Sequence, residues 1–414
     1  MTSRERVMAS LNFKQPDRVP IDFNAHRSSG INVIAYQNLR KYLDLPPSPL
    51  YIYDIIQQLA IVEQDVLDKF DVDTFQLGCD FDKKPEYWKD WELEDGTPCK
   101  VPVCVDVRRQ GNGSFIYNSK GTIVGKQPQG CYYFEQALYP LANDDEKDDF
   151  SDYDDIQNDV MWLMVPSPPM PIDFKTPAGA RELREIAAAT RGKTDRAIYG
   201  IFGGNLVETA QYIFRMDNLL CDLLANPERI HKFLDVLLDR HMVNLKAYLD
   251  SVGDYIDVIG FGDDMGTQGG PQFSPEVYMD FFYPREKKMW SYIHERFPAM
   301  KICLHCCGGV RPLMPLLADA GLDAINPVQF TCKDMALEDL KKELYGKLTL
   351  WGGGCDTRRM LPQGKPSEIG PHVKKNLEIL NNGGGFIFQQ VHNILADIPP
   401  VNVVEMFKAV RDFC

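Results

Sequence analysis

Short β-branched or aromatic runs recur along this chain, and most are followed by a longer stretch of helical periodicity. Eight such runs are present: Val19–Phe23, Asp73–Leu77, Ala197–Phe202, Tyr255–Phe261, Lys301–Leu304, Asp323–Asn326, Lys347–Trp351 and Phe386–Gln390. Helical pattern falls between them, most visibly from about Tyr53 to Phe70, Pro227 to Ser251, Ser274 to Phe297 and Lys365 to Leu380. Eight strand–helix units predict an α/β fold, a single (β/α)8 barrel of the triosephosphate-isomerase (TIM) type spanning 1–414. An open doubly wound sheet is the competing topology, but no Gly-x-Gly-x-x-Gly turn follows the first run. One stretch breaks the rhythm: 88–138 reads as Gly/Asn turns between alternating strands, a β-rich insertion after the second strand. The acidic run Asp144–Asp155 fits no EF-hand spacing and is expected to be a solvated loop.

Composition narrows the function classes. The formal net charge is −14 and no Lys/Arg cluster marks a nucleic-acid face. No apolar run reaches the roughly 18–20 residues that a membrane helix needs, and the first residues are charged with no apolar segment behind them. A cytoplasmic protein is expected, with its 11 cysteines reduced.

Barrel enzymes carry their chemistry on the loops just past the C-terminal strand ends. His26 follows the first run, Cys79 and Asp80 the second, Asn205 and Glu208 the third, Asp263 and Asp264 the fourth. His305 and Cys307 follow the fifth, Cys355 the seventh behind Gly352-Gly353-Gly354, and His392 the eighth. Imidazole and thiolate suit zinc, and a catalytic zinc takes three protein ligands and leaves one position open. His305-x-Cys307 with Cys355 is therefore the candidate ligand set, although spacing alone does not choose between Cys306 and Cys307. Asp263, Asp264 and His392 are candidate acid, base or orienting groups; His26, Asp80, Asn205 and Glu208 are candidate substrate contacts. Gly352–Gly354 is a possible phosphate cradle, whereas Gly383–Gly385 precedes a strand and reads as a helix end.

These segments resemble the uroporphyrinogen decarboxylase superfamily. The likeness rests on Arg4 to Phe23 with its Gln15-Pro16-Asp17-Arg18-Val19-Pro20, on Gly262 to Pro275, on Leu304-His305-Cys306-Cys307-Gly308 and on Val391-His392-Asn393-Ile394. It implies the (β/α)8 barrel. The decarboxylases use no metal and carry an arginine-rich motif after the first strand; here Phe23–Ser29 keeps only Arg27. The other branch comprises zinc-dependent methyltransferases, whose His-x-Cys and distant Cys map onto His305, Cys307 and Cys355, leaving Cys306 unliganded. The resemblance implies a methyltransferase that passes a methyl group from a small donor, an aromatic methyl ether in an O-demethylase reaction, to a corrinoid (cobalamin) carried by a partner protein. This chain shows no Asp-x-His-x-x-Gly corrinoid-binding motif of its own. Decarboxylation, or transfer from a methylcorrinoid to a thiol or folate, is the alternative.

Overall fold

The computed structural model describes residues 1–78, 84–165 and 172–413. Seven of the predicted runs form one parallel sheet: β1 (Thr74–Gln76), β2 (Ala197–Gly203), β3 (Val258–Gly262), β4 (Lys301–His305), β5 (Ala324–Asn326), β6 (Thr349–Trp351) and β7 (Phe386–Ile387). Their spatial order follows the chain order without a single swap, and every pairing is parallel. The first predicted run does not form a regular strand. It contributes one parallel bridge, Ile21 to Phe388, beside β7. On its other side the backbone N–H of Asp73, just before β1, donates to the Ile21 carbonyl at 2.7 Å. Residues 20–22 thus lie hydrogen-bonded between the two edges of the curled sheet.

Alternation along the strands sorts side chains to two faces. Ile198, Ile259, Ile302, Ile325, Leu350 and Phe386 pack outward in the main apolar core. Ala197, Tyr199, Val258, Cys303, Ala324, Trp351 and Ile387 form a second cluster inside the curl, with Val7 and Leu11 of helix α1 (Ser3–Leu11) packed into it. Gly260 in β3 is required there: a Cβ at that position would lie 2.3 Å from the Tyr199 ring. The described cysteines are all free thiols, and no described helix is long and apolar enough to cross a membrane.

Residues 88–136 form antiparallel strands. Trp88–Glu92 pairs with Pro98–Pro102, and Asp106–Gln110, Gly113–Tyr117, Ile123–Pro128 and Glu135–Gln136 form a second sheet. Gln110 pairs with Gly113 across a two-residue turn in which Gly111 takes φ 54°, the left-handed geometry that tight hairpins need. The acidic segment 144–155 is mostly loop, with one short helical turn at its end, and Lys147 and Lys232 pair with Asp152 and Asp148.

Two helical expectations are corrected. The stretch Tyr53–Phe70 is helical only over Gln64–Lys69; before it, Ile52–Asp54 pairs with Leu59–Ala60 as a hairpin. The Asp54 carboxylate accepts the Gln57 N–H at 2.8 Å and Gln58 adopts φ 58°, so side-chain capping of a turn outcompetes helix at Asp54–Gln58. The second case is Ser274–Phe297, which is interrupted by a wide π turn at Tyr278–Phe282 before the helix Tyr283–Arg296. Pro284 lacks the N–H that a regular helix would direct to Asp280.

That turn brings the Tyr278 hydroxyl to the buried Glu286 carboxylate. Burial pushes the Glu286 carboxyl up to about 7 from an ordinary 4.5, with the Tyr278 hydrogen bond working the other way. A carboxyl that holds its proton more tightly when folded adds stability that is complete below its unfolded value and is lost as pH rises through the folded one. Glu286→Gln keeps an acceptor for Tyr278 and cannot titrate. Urea midpoints measured below pH 4.5 and above pH 7 should show the variant losing less stability than the parent, by about 3 kcal/mol. Parallel stability curves for the two proteins would refute this account.

Candidate metal centre

At the C-terminal end of β4, His305 and Cys307 project toward His392, which follows β7. One ligand atom from each of the three lies within 4.8 Å of the others. His305 Nε2 stands 3.4 Å from Cys307 Sγ, and the His305 and His392 rings are 5.8 Å apart edge to face. The close approach of two loops sets this geometry. Gly308, at φ 93°, lies against Gly266 in the loop after β3, where a Cβ on either glycine would meet the other's backbone at 2.4–2.8 Å. This draws Asp264 to the site: its Oδ1 accepts the Cys307 N–H at 2.8 Å and lies 3.7 Å from His305 Nε2. Cys306, between the two candidate ligands, is buried, and its sulfur accepts the Met265 N–H.

Cys355, expected as the third ligand, is not in this group, which instead includes His392. After β6, Gly352 and Gly353 take φ 97° and 84°, and the following residues pair with the chain beyond β7 through Gly354 N to Gln389 O and Val391 N to Cys355 O. The segment thereby delivers Cys355 into the apolar core, its sulfur 4.0 Å from the Asp356 carbonyl. Asp263 is separated from the reactive groups in a different way. Its buried carboxylate accepts the N–H groups of Leu206, Val207 and Glu208, at 2.7, 3.0 and 2.7 Å, and so caps helix α2 (Val207–Phe214) from another strand. Asp80 and Cys79 lie outside the described residues.

His305 and His392, with Asp264, open onto a cavity of about 330 Å³. His26, Asn205 and Glu208 line it. Its aromatic wall was not foreseen: Tyr133, Phe134, Trp162, Tyr199, Tyr212 and Phe261 all face it. Trp162 and Tyr212 stack at 5.8 Å and 14°. Tyr212 lies one helical turn after Glu208, so the spacing was readable; Tyr133 comes from an irregular segment and Trp162 from a single helical turn (Met161–Met164), both too short to carry a periodic signal. Arg27 also lines the cavity, its guanidinium ion-paired to the buried Asp54.

Electrostatically the site is poised for a cation. Burial, then the neighbouring Asp264 carboxylate, push the Cys307 thiol well up from its ordinary range. Burial, then Asp264, raise the Glu208 carboxyl to about 7, although Tyr212 and Asn205 donate to it. Burial, then His305, lower the His392 imidazole to about 4, which leaves it neutral and able to donate a lone pair. Two imidazoles and a buried thiol beside a carboxylate are a donor set that suits a borderline-soft divalent metal.

A curled parallel α/β sheet with its reactive side chains past the C-terminal strand ends defines an enzyme-like α/β class. The uroporphyrinogen decarboxylase (URO-D) family model matches residues 170–413, more than half of the chain, and this chain belongs to that family. It is 28% identical over 178 residues to a uroporphyrinogen decarboxylase of Legionella pneumophila, covering 43% of this chain and 47% of that one. The corresponding Wolinella succinogenes enzyme is 25% identical over 138 residues, 33% of this chain and 37% of the relative. The match thus spans about half the length of these curated relatives or less. In fold, the chain is similar to a methyltransferase from Methanosarcina mazei, with a TM-score of 0.57 over 100% of this chain and 99% of that one at 15% identity.

The cap on α2 can be tested directly. Asp263→Ala leaves three first-turn N–H groups without their buried acceptor, which should cost about 1–3 kcal/mol. The variant should melt at a lower temperature than the parent; an unchanged melting temperature would show that the cap contributes nothing.

Proposed function

We propose that this chain is a zinc-dependent methyltransferase that takes a methyl group from an aromatic methyl ether and delivers it to a corrinoid on a partner protein in the cytoplasm. The observation that carries this reading is the His305, Cys307 and His392 donor group at the rim of an aromatic-walled cavity. In this reading 1–414 is one (β/α)8 barrel, residues 20–22 supply its remaining strand, and 88–138 is an insertion that delivers Tyr133 and Phe134 to the cavity. His305, Cys307 and His392 hold the metal, with His392 replacing Cys355 as the third ligand. Zinc bound there supplies Lewis acidity toward the leaving oxygen of the donor.

The protein's own groups do the rest. The stacked Trp162 and Tyr212 form one face on which a planar ring can lie. Asp264 fixes the Cys307 backbone and lies beside His305. Glu208, protonated near neutral pH, is placed to give its proton to the departing oxygen as the methyl–oxygen bond breaks and the acceptor bonds to carbon. His26 and Asn205 border the same space. A decarboxylase acting on a polyanionic tetrapyrrole would need unpaired cations here. Among the described lining residues, the guanidinium of Arg27 is committed to Asp54.

Purified protein should hold about one zinc per chain. His305→Ala, Cys307→Ser and His392→Ala should each lose most of it, while Cys355→Ser retains it. Incubated with methoxylated aromatics and a reduced corrinoid protein, the zinc-loaded enzyme should release the free phenol. Glu208→Gln should slow that release by roughly 10²-fold, the scale of a lost acid/base group. Full zinc in Cys307→Ser, or no phenol from any methoxyarene, would sink the proposal.

A further inference from the structure

The side chain of Asn326, at the end of β5, is surrounded by acceptors and donors that leave it one orientation. It is fully buried. One partner is the backbone carbonyl of Trp351, 3.0 Å away, which can only accept. The amide nitrogen of Asn326 must therefore face it, and the same NH2 donates to Gln389 Oε1 at 2.7 Å. Both of its hydrogens are then used. The amide oxygen necessarily points the other way, where it receives the Ser28 hydroxyl at 2.6 Å and meets His305 Nδ1 at 3.0 Å. Gln389 Nε2 donates to Ser28 Oγ at 2.9 Å and closes a buried ring of three side chains. Ser28 and Gln389 are also fully or almost fully buried, so water does not compete for these bonds.

We infer that Asn326 is a positioning residue that holds His305 in its Nδ1–H form, so that the lone pair on Nε2 faces Cys307 and His392. An amide oxygen cannot donate, so the hydrogen between Nδ1 and Oδ1 has to sit on the ring. In the opposite tautomer two lone pairs would face each other at 3.0 Å in a buried setting, and Nε2 would carry a hydrogen into the cluster. The consequence for metal binding rests on the function proposed above; the tautomer itself does not. A histidine ligand whose remote N–H is anchored in this way binds a metal without first reorganising. Asn326 touches neither the metal position nor the cavity, and the residues that fix it come from three other places: the loop around Ser28, the end of β6 and the chain after β7.

The test uses the full chain with 15N-labelled histidine side chains, metal-free and above the ordinary histidine titration range. The His305 signals, assigned by their loss in His305→Gln, should show a protonated Nδ1 and an unprotonated Nε2. An Nε2–H form in the unaltered protein would overturn the inference, and that measurement needs no variant at position 326. Asn326→Ala should then lower zinc affinity by about 10–100-fold in competition with a chelator, with unchanged far-UV circular dichroism. Unchanged affinity in Asn326→Ala would also overturn the positioning role. If the parent protein shows the Nδ1–H form yet binds no zinc, the metal reading fails while the tautomer assignment stands.

Discussion

Closure of the sheet depends on one buried carboxylate. Asp73 is wholly inaccessible, yet it accepts the Ile21 N–H at 2.9 Å, Arg6 at 2.6 Å, and Arg18 at 2.7 and 2.9 Å. Its own N–H donates to the Ile21 carbonyl. A lone charge at that depth would be untenable; two guanidiniums and a backbone N–H make it affordable. The result is that residues 20–22 are pinned to β1 on one side, while Phe388 holds them on the other. With that seam in place, Ser28 reaches Gln389 and Asn326, and His392 reaches His305. The site therefore inherits its geometry from a contact at the opposite end of the strands.

Much of this arrangement was legible in the chain. The βα alternation located all seven strands of the sheet, because each is short, β-branched and buried on both faces. The residue types just past each strand point to His305, Cys307, His392, Asp264, Asn205 and Glu208, since the fold places those positions at one end. The same inspection passed over Asn326 at the end of the sixth run, because an amide offers neither a metal-binding atom nor a titratable proton. Its importance lies in its partners, and Ser28, Trp351 and Gln389 are distant in sequence.

Why Cys355 lies apart from His305 and Cys307 while His392 lies beside them is a matter of backbone, which residue type does not report. Two consecutive left-handed glycines turn the chain after β6 alongside the segment following β7, and that pairing buries the thiol. The run Gly352–Gly354, a possible phosphate cradle by sequence, provides close chain packing: a Cβ on Gly354 would sit 2.2 Å from the Phe388 ring. Asp54 similarly overrode the helical periodicity around it by capping a turn. In both cases local chemistry of one or two residues outweighed a pattern summed over many.

The two imidazoles at the centre are held by parallel means. His305 Nδ1 meets the oxygen of Asn326, and His392 Nδ1 meets the oxygen of Asn393 at 3.0 Å. Asn393 is itself oriented by Tyr133, whose hydroxyl donates to the same oxygen, and by Gln57, which accepts from its amide. Each ring is thus anchored on its Nδ1 side by a buried asparagine. Tyr133 also lines the cavity, so the wall that would contact a bound ring is coupled through one asparagine to the orientation of His392. A ligand that displaced Tyr133 would loosen the anchor of His392, while His305, tied to the interior triangle of Asn326, Ser28 and Gln389, would keep its place. The centre therefore combines one imidazole fixed by the core with one whose support is shared with the substrate wall.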